Sequence, residues 1–143
     1  VRVTNDGKDY NVHPEQTILQ FCKEQHIFIP TFCHDERFVG DASCRMCVVE
    51  VNGNKQKLST SCTLFPTEGM IVETTNDDIL ETRQEILKSL WSSHPNDCVV
   101  CDANSRCTLQ DYMYLYDIPS EKTYKRPLRD FPHDESNKFF TIE

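Results

Sequence analysis

Val1–Thr4 and Asp9–Val12 alternate apolar and polar positions around Asn5-Asp6-Gly7, a pattern that predicts a β-hairpin. Thr17-Ile18-Leu19-Gln20 comes next. A hydroxyl followed three places on by Gln can satisfy free amides at a helix start, so a short helix is predicted to run to about Gln25. Pro30 ends that connection and pushes Ile29 into extended geometry. Neither a helical nor a strand period governs Cys33–Ser43, which reads as a loop. Met46–Val51 is a β-branched run, Asn52-Gly53-Asn54 a turn, Gln56–Thr60 a return strand and Met70–Thr75 a further strand.

The period changes at Asn76-Asp77-Asp78, an acidic helix start. Ile79, Arg83, Ile86, Leu87, Leu90 and Trp91 then keep helical spacing until Pro95. This predicts a helix over Asp77–Ser93, about 25 Å long. Thr108–Asp117 predicts another, with Leu109, Tyr112, Met113 and Tyr116 on one face. Pro119, Pro127 and Pro132 interrupt the charge-mixed stretch that follows, and Phe139–Ile142 reads as a last strand. The fold class expected is α+β, with a boundary between residues 1–75 and residues 76–143.

Composition narrows the function. The net charge of −8 argues against nucleic acid as a partner, because phosphates are met by basic surface. No apolar run approaches the ~18–20 residues of a membrane span, so no direct membrane insertion is expected. The chain has no basic-then-apolar start, and its eight cysteines fall mostly in two tight groups. Short Cys-x-x-Cys pairs without a secretion signal point to metal ligation in a reducing, cytoplasmic setting. Two halves of about 70 residues are marginal as separate cores, and metal sites commonly supply the missing stability.

Cys33-x10-Cys44-x2-Cys47-x14-Cys62 supplies four thiolates. Zinc and iron–sulfur clusters both accept such a set. Structural zinc sites usually use two short knuckles, whereas here one short pair is flanked by single cysteines, and the long ligand loop suits a bulkier group. Gly40, Ala42 and Ser43 are small enough to let backbone N–H groups approach sulfur. His94-x3-Cys98-x2-Cys101-x5-Cys107 adds three thiolates and an imidazole, which on its own is also a legitimate zinc set. Pro95 stops the long helix beside His94.

Ile29-Pro30-Thr31-Phe32-Cys33, Ser43-Cys44-Arg45-Met46-Cys47-Val48-Val49-Glu50-Val51, Ser61-Cys62-Thr63 and Glu68-Gly69-Met70 resemble the amino-terminal 2Fe–2S domain of one family. It comprises the iron–sulfur subunits of respiratory complex I, NAD-linked iron-only hydrogenases and cytoplasmic NAD-dependent formate dehydrogenases. His94-Pro95-Asn96-Asp97-Cys98 and Cys107-Thr108-Leu109-Gln110-Asp111 resemble the His/Cys3 4Fe–4S motif that follows in the same family. The resemblance implies a β-grasp, ferredoxin-like 2Fe–2S domain and then a small, mainly helical 4Fe–4S domain that continues into a larger subunit. It implies one 2Fe–2S cluster on Cys33, Cys44, Cys47 and Cys62, and one 4Fe–4S cluster on His94, Cys98, Cys101 and Cys107. It also implies a flavin- and NAD(H)-binding partner subunit and further iron–sulfur subunits or domains.

The chain has no glycine-rich nucleotide fingerprint and no nucleophile–base set, so no catalytic residue is assigned and the expected role is single-electron relay. A stand-alone ferredoxin-type carrier and a zinc-stabilised binding module are the competing classes. Cys22 reads as a core thiol, and His34 as a neighbour of an already filled ligand set. His13, His26 and His133 read as surface or loop residues, Tyr112, Tyr114 and Tyr116 as packing, and Lys122, Lys125, Arg126 and Arg129 as a solvated face.

Overall fold

Asp6 and Gly7 turn the first hairpin with φ of 48° and 78°, the left-handed pair that a two-residue turn with the twist of its strands requires. The computed structural model describes residues 1–122, 124 and 134–139. The hairpin strands are β1 (Arg2–Asn5) and β2 (Lys8–Asn11), paired from Arg2↔Asn11 to Asn5↔Lys8. Asn5, expected in the turn, belongs to β1 and is only 1% exposed. Its amide donates to Asp6 at 2.9 Å and its oxygen faces the Cys22 thiol at 3.9 Å, so the polar side chain is satisfied inside and the turn needs only two residues.

Helix α1 (Ile18–Glu24) starts at the expected capping box. Gln20 N–H donates to Thr17 Oγ1 at 3.2 Å, and Thr17 N–H donates back to Gln20 Oε1 at 2.9 Å. The remaining strands are β3 (Val48–Val51), β4 (Ser59–Thr60) and β5 (Met70–Glu73). They complete a five-stranded sheet in the order β2-β1-β5-β3-β4. β5 lies parallel to β1, with Val3↔Met70 and Asn5↔Val72, and antiparallel to β3. Parallel neighbours need a long crossover. Here α1 and the cysteine-bearing loop supply it, and α1 buries Ile18, Leu19, Phe21 and Cys22 in a core with Val3, Val12, Val49, Met70 and Val72.

Both β3 and β4 are shorter than the sequence predicts. The peptides that would extend them are used elsewhere. The Cys47 carbonyl accepts from Ser61 N–H at 3.0 Å and Ser61 Oγ at 2.8 Å, and the Met46 carbonyl accepts from Arg83 Nε at 3.3 Å. Residues 54–57 are drawn into turns, with Asn54 N–H on Val51 O and Lys57 N–H on Asn54 O.

Helix α2 (Asp77–Ser93) matches its predicted span, capped by Asn76 Oδ1 accepting from Ile79 N–H at 2.9 Å. It buries Ile79, Arg83, Leu87 and Trp91, while Leu90 of the predicted stripe faces outward. A single 3-10 turn, Cys98–Val100, leads towards α3 (Thr108–Leu115). α3 ends before the expected Asp117 because Asp117 takes φ 52° and Ile118 N–H closes on Met113 O at 2.8 Å. Met46, Leu87, Tyr116 and Ile118 form a second core, with Phe32, Cys44, Leu109, Tyr112 and Met113 packed on it. That core draws residues from both sides of Asn76. Apart from Phe139, the predicted strand Phe139–Ile142 lies outside the described residues, as do Pro127, Pro132, His133, Lys125, Arg126 and Arg129.

Candidate metal centres

Cys33 and Cys44 face each other with Sγ atoms 3.3 Å apart, and the Cys44 N–H donates to Cys33 Sγ at 3.5 Å. Cys47, just before β3, and Cys62, just after β4, are buried at 1% and 3% exposure. Cys62 lies close enough to feel Cys47 and Cys33, and Cys33 meets Cys44, so the fold brings the four thiols of the first group into one neighbourhood. Burial, then the hydrogen bond and charge of Cys47, push the Cys62 thiol up to about 12. Thiols this close resist becoming neighbouring anions, and a cationic core between them removes the repulsion.

The loop from Cys33 to Cys44 is shaped around these sulfurs. A Cβ on Gly40 would lie 2.6 Å from the Cys62 carbonyl oxygen, so only glycine lets the loop rest on that peptide. Ala42 and Arg45 take φ of 59° and 56°. The Ala42 backbone N–H works against the burial that raises the Cys62 thiol. At Cys44 burial opposes ionisation, yet backbone N–H groups of Cys33, Met46 and Phe32 hold the thiol below its ordinary range. Donors aimed at sulfur are what a thiolate-held cluster uses for tuning. Asp41 accepts from Ser43 N–H and Oγ at 3.2 and 3.0 Å, and the Lys23–Glu36 ion pair ties the loop to α1. His34 Nδ1 is buried, and it has no hydrogen-bond partner among the described residues.

The second group assembles at the far end of α2. His94 caps the helix, its N–H donating to Trp91 O at 3.1 Å, and its ring sits 5.7 Å from the Trp91 ring. Lys122 Nζ donates to His94 O at 2.5 Å and lies 5.5 Å over Trp91. Cys98 opens the 3-10 turn and Cys107 is the N-cap residue of α3. His94, Cys98 and Cys107 line one cavity of about 380 Å³, together with Trp91, Asn96 and Met113. Cys101 is exposed and is not among the residues lining that cavity. Gln110 fastens the intervening loop, accepting from Ser105 N–H and donating to Asn104 Oδ1, both at 3.1 Å. Among the described residues, in neither group do three His, Cys, Asp or Glu side chains stand where they would hold a single metal ion.

Arg83, read only as a match to the helical spacing, and Tyr112, read as packing, also serve the first site. Arg83 bonds the carbonyls of Met46 and Val48, and Tyr112 bonds the peptide of Thr31. The available signal was a charged residue inside the apolar stripe of a helix. Of the three tyrosines predicted to pack, Tyr112 and Tyr116 pack inward, while Tyr114 is 77% exposed. Cys22 is a core thiol, and burial followed by the Asp6 charge raises it to about 12.

Similarity to known proteins follows the two groups. A match to an NADH-ubiquinone oxidoreductase-G iron–sulfur binding region covers residues 83–122. An NADH-quinone oxidoreductase subunit of Rhizobium meliloti (strain 1021) is 38% identical over 131 residues, covering 92% of this chain and 15% of that protein. The NADH-ubiquinone oxidoreductase 75 kDa subunit of Reclinomonas americana is 36% identical over 132 residues, covering 91% of this chain and 19% of that one. The chain thus spans less than a fifth of these curated relatives. A crystal structure of an NAD+-reducing NiFe hydrogenase in the H2-reduced state superposes with a TM-score of 0.82 at 25% identity, over 96% of this chain and 57% of that chain. The two matched regions specify one 2Fe–2S and one 4Fe–4S cluster in that order. Matched over residues 1–77, more than half its length, the chain belongs to the 2Fe–2S iron–sulfur cluster binding domain family.

Proposed function

We propose that Cys33, Cys44, Cys47 and Cys62 hold the 2Fe–2S cluster, that His94, Cys98, Cys101 and Cys107 hold the 4Fe–4S cluster, and that the chain relays single electrons inside a larger oxidoreductase. The observation that carries this reading is the first site itself: four gathered thiols with backbone donors turned onto sulfur and a loop that only glycine lets close. Clusters supply one-electron chemistry when bound. The chain's own residues exclude water from Cys47 and Cys62, donate hydrogen bonds to Cys44, and place an imidazole at the end of α2.

The relatives named above carry NADH or NAD+ in their names, which supports a flavin- and NAD(H)-binding partner subunit and further iron–sulfur subunits or domains. Phe38 and Val39, 71% and 95% exposed on the first-site loop, offer a partner apolar contact close to that cluster. Among the described residues no helix is long and apolar enough to cross a membrane. Anaerobic reconstitution tests the reading. About six irons per chain with matching acid-labile sulfide are expected. Stoichiometric zinc without sulfide overturns it in favour of a zinc-stabilised module. Copurification with a flavoprotein supports a subunit over a diffusing carrier.

A further inference from the structure

Arg83 is the most deeply buried charged side chain of α2, at 2% exposure. Its Nη2 donates to Val48 O at 2.9 Å and its Nε to Met46 O at 3.3 Å, while Nη1 lies 3.4 Å from Tyr116 Oη. Met46 and Val48 flank Cys47. The guanidinium therefore sits against the two peptides that frame a ligand sulfur, and it arrives there from the helix that leads to the second site.

Two carbonyls and the Tyr116 hydroxyl accept from the guanidinium, but none of them neutralises its charge. Removing a full charge from water costs several kcal/mol, and buried cations are ordinarily matched by an anion. Among the described residues no carboxylate forms an ion pair with Arg83. Glu50, buried on the same strand as Val48, accepts from Asn76 Nδ2 at 2.8 Å instead. Burial pulls the guanidinium down from its usual range, while Tyr116 first and then Cys47 and Tyr112 favour its protonated form. A four-thiolate 2Fe–2S unit is net negative and gains one more negative charge on reduction. The cation that looks unmatched in the protein alone is matched once that group is bound.

We propose that Arg83 is the buried counter-charge of the 2Fe–2S cluster, a positioning residue that favours its reduced state and is supplied by the helix connecting the two sites. The proposal rests on the assignment of Cys47 as a 2Fe–2S ligand. A clamp that only fixed the Cys47 segment would act through its hydrogen bonds, whereas a counter-charge acts through its sign. Electrostatics at short range in a poorly solvated interior makes the two separable by potential.

The experiment is an EPR-monitored redox titration of the full chain with both clusters reconstituted, comparing the unaltered protein with Arg83→Gln, Arg83→Met and Arg83→Lys. Loss of the charge should lower the equilibrium constant for one-electron reduction of the 2Fe–2S cluster at least tenfold, about 59 mV. The 4Fe–4S potential should move less and serves as the internal reference. Arg83→Lys should stay within about threefold of the unaltered chain, because the charge is kept. Gln and Met variants that cannot hold the cluster, beside a Lys variant that holds it at the original potential, also support the proposal. Equal 2Fe–2S potentials in the unaltered and Gln chains overturn it, and so does failure of the Lys variant to hold the cluster, since the fork would then matter and the charge would not. An unaltered chain without any 2Fe–2S signal overturns the ligand assignment and this proposal together, whereas a normal signal with unshifted variants overturns this proposal alone.

Discussion

Tyr112 closes a two-way hydrogen bond on a single residue, Thr31: its hydroxyl accepts from Thr31 N–H at 3.1 Å and donates to Thr31 O at 3.2 Å. Thr31 lies two residues before Cys33, and Tyr112 lies one turn and a residue beyond Cys107. A helix begun at one site thus holds the entry to the other, with the Tyr112 ring 5.0 Å from Phe32.

Removing that hydroxyl should loosen the first site while leaving the ring in place. Tyr112→Phe is expected to lose about 1–3 kcal/mol of unfolding free energy, because partly buried backbone groups lose both partners. Denaturant unfolding of the loaded chain measures the loss. The 2Fe–2S absorbance should also bleach faster than the 4Fe–4S signal. Bleaching at an unchanged rate would mean that the Thr31 backbone is held by something else.

Gly40→Ala places a methyl group 2.6 Å from the Cys62 carbonyl oxygen, a separation that forces backbone to move. The loop should lift from the Cys62 peptide and take the Ala42 amide with it. Iron content is expected to fall from about six towards about four per chain, with the 4Fe–4S spectrum retained. Full iron content in this variant would show that the loop does not need to close there.

His94→Cys should keep a 4Fe–4S cluster but lower its potential. A thiolate in place of a neutral imidazole makes the unit more negative, and reduction then becomes harder. The 2Fe–2S potential should stay where it is. In His94→Ala an untouched 4Fe–4S spectrum and potential would remove His94 from the ligand set.

Cys22 offers a pH test at a thiol outside both ligand sets. Its folded-state thiol lies at about 12, raised by burial and then by the Asp6 charge. An unfolded thiol titrates near ~8.5. A group raised in this way contributes stability that is fully present below the unfolded value and is lost as pH climbs towards the folded one. Stability should therefore decline above about pH 8.5, and Cys22→Ala should flatten that part of the profile in denaturant titrations. At neutral pH iodoacetamide should spare Cys22 until the chain unfolds.

Local signals made the elements of this fold legible. The Thr17/Gln20 box and the helix start at Asn76-Asp77-Asp78 each act within a few residues and appear where the sequence placed them, while the predicted Asn5-Asp6-Gly7 turn narrows to Asp6-Gly7. The α+β class, the β-grasp sheet and the identity of the two clusters also agree with the sequence reading. What composition and periodicity do not contain is competition for backbone groups at long range. Met46 and Cys47 look like strand residues, yet their carbonyls are claimed by Arg83 and Ser61, and β3 starts later as a result. Arg83 fitted the helical stripe as a spacing match, and nothing local revealed that its charge would be buried against the Cys47 segment. Asn5 reads as a turn former because its side chain is polar. A burial site with its own donor and acceptor reverses that preference.

The parallel pairing of β1 with β5 has a consequence for how the protein is made. Val3 cannot find Met70, nor Asn5 find Val72, until the whole intervening stretch has left the ribosome. Cys33, Cys44, Cys47 and Cys62 all lie within that stretch, so every thiol of the first site emerges before the sheet that shelters two of them can close. During synthesis these side chains are open to oxidation and to adventitious metals in a way the finished fold forbids at Cys47 and Cys62. Reducing conditions through translation therefore keep these thiols intact until Met70–Glu73 arrives and the sheet can close.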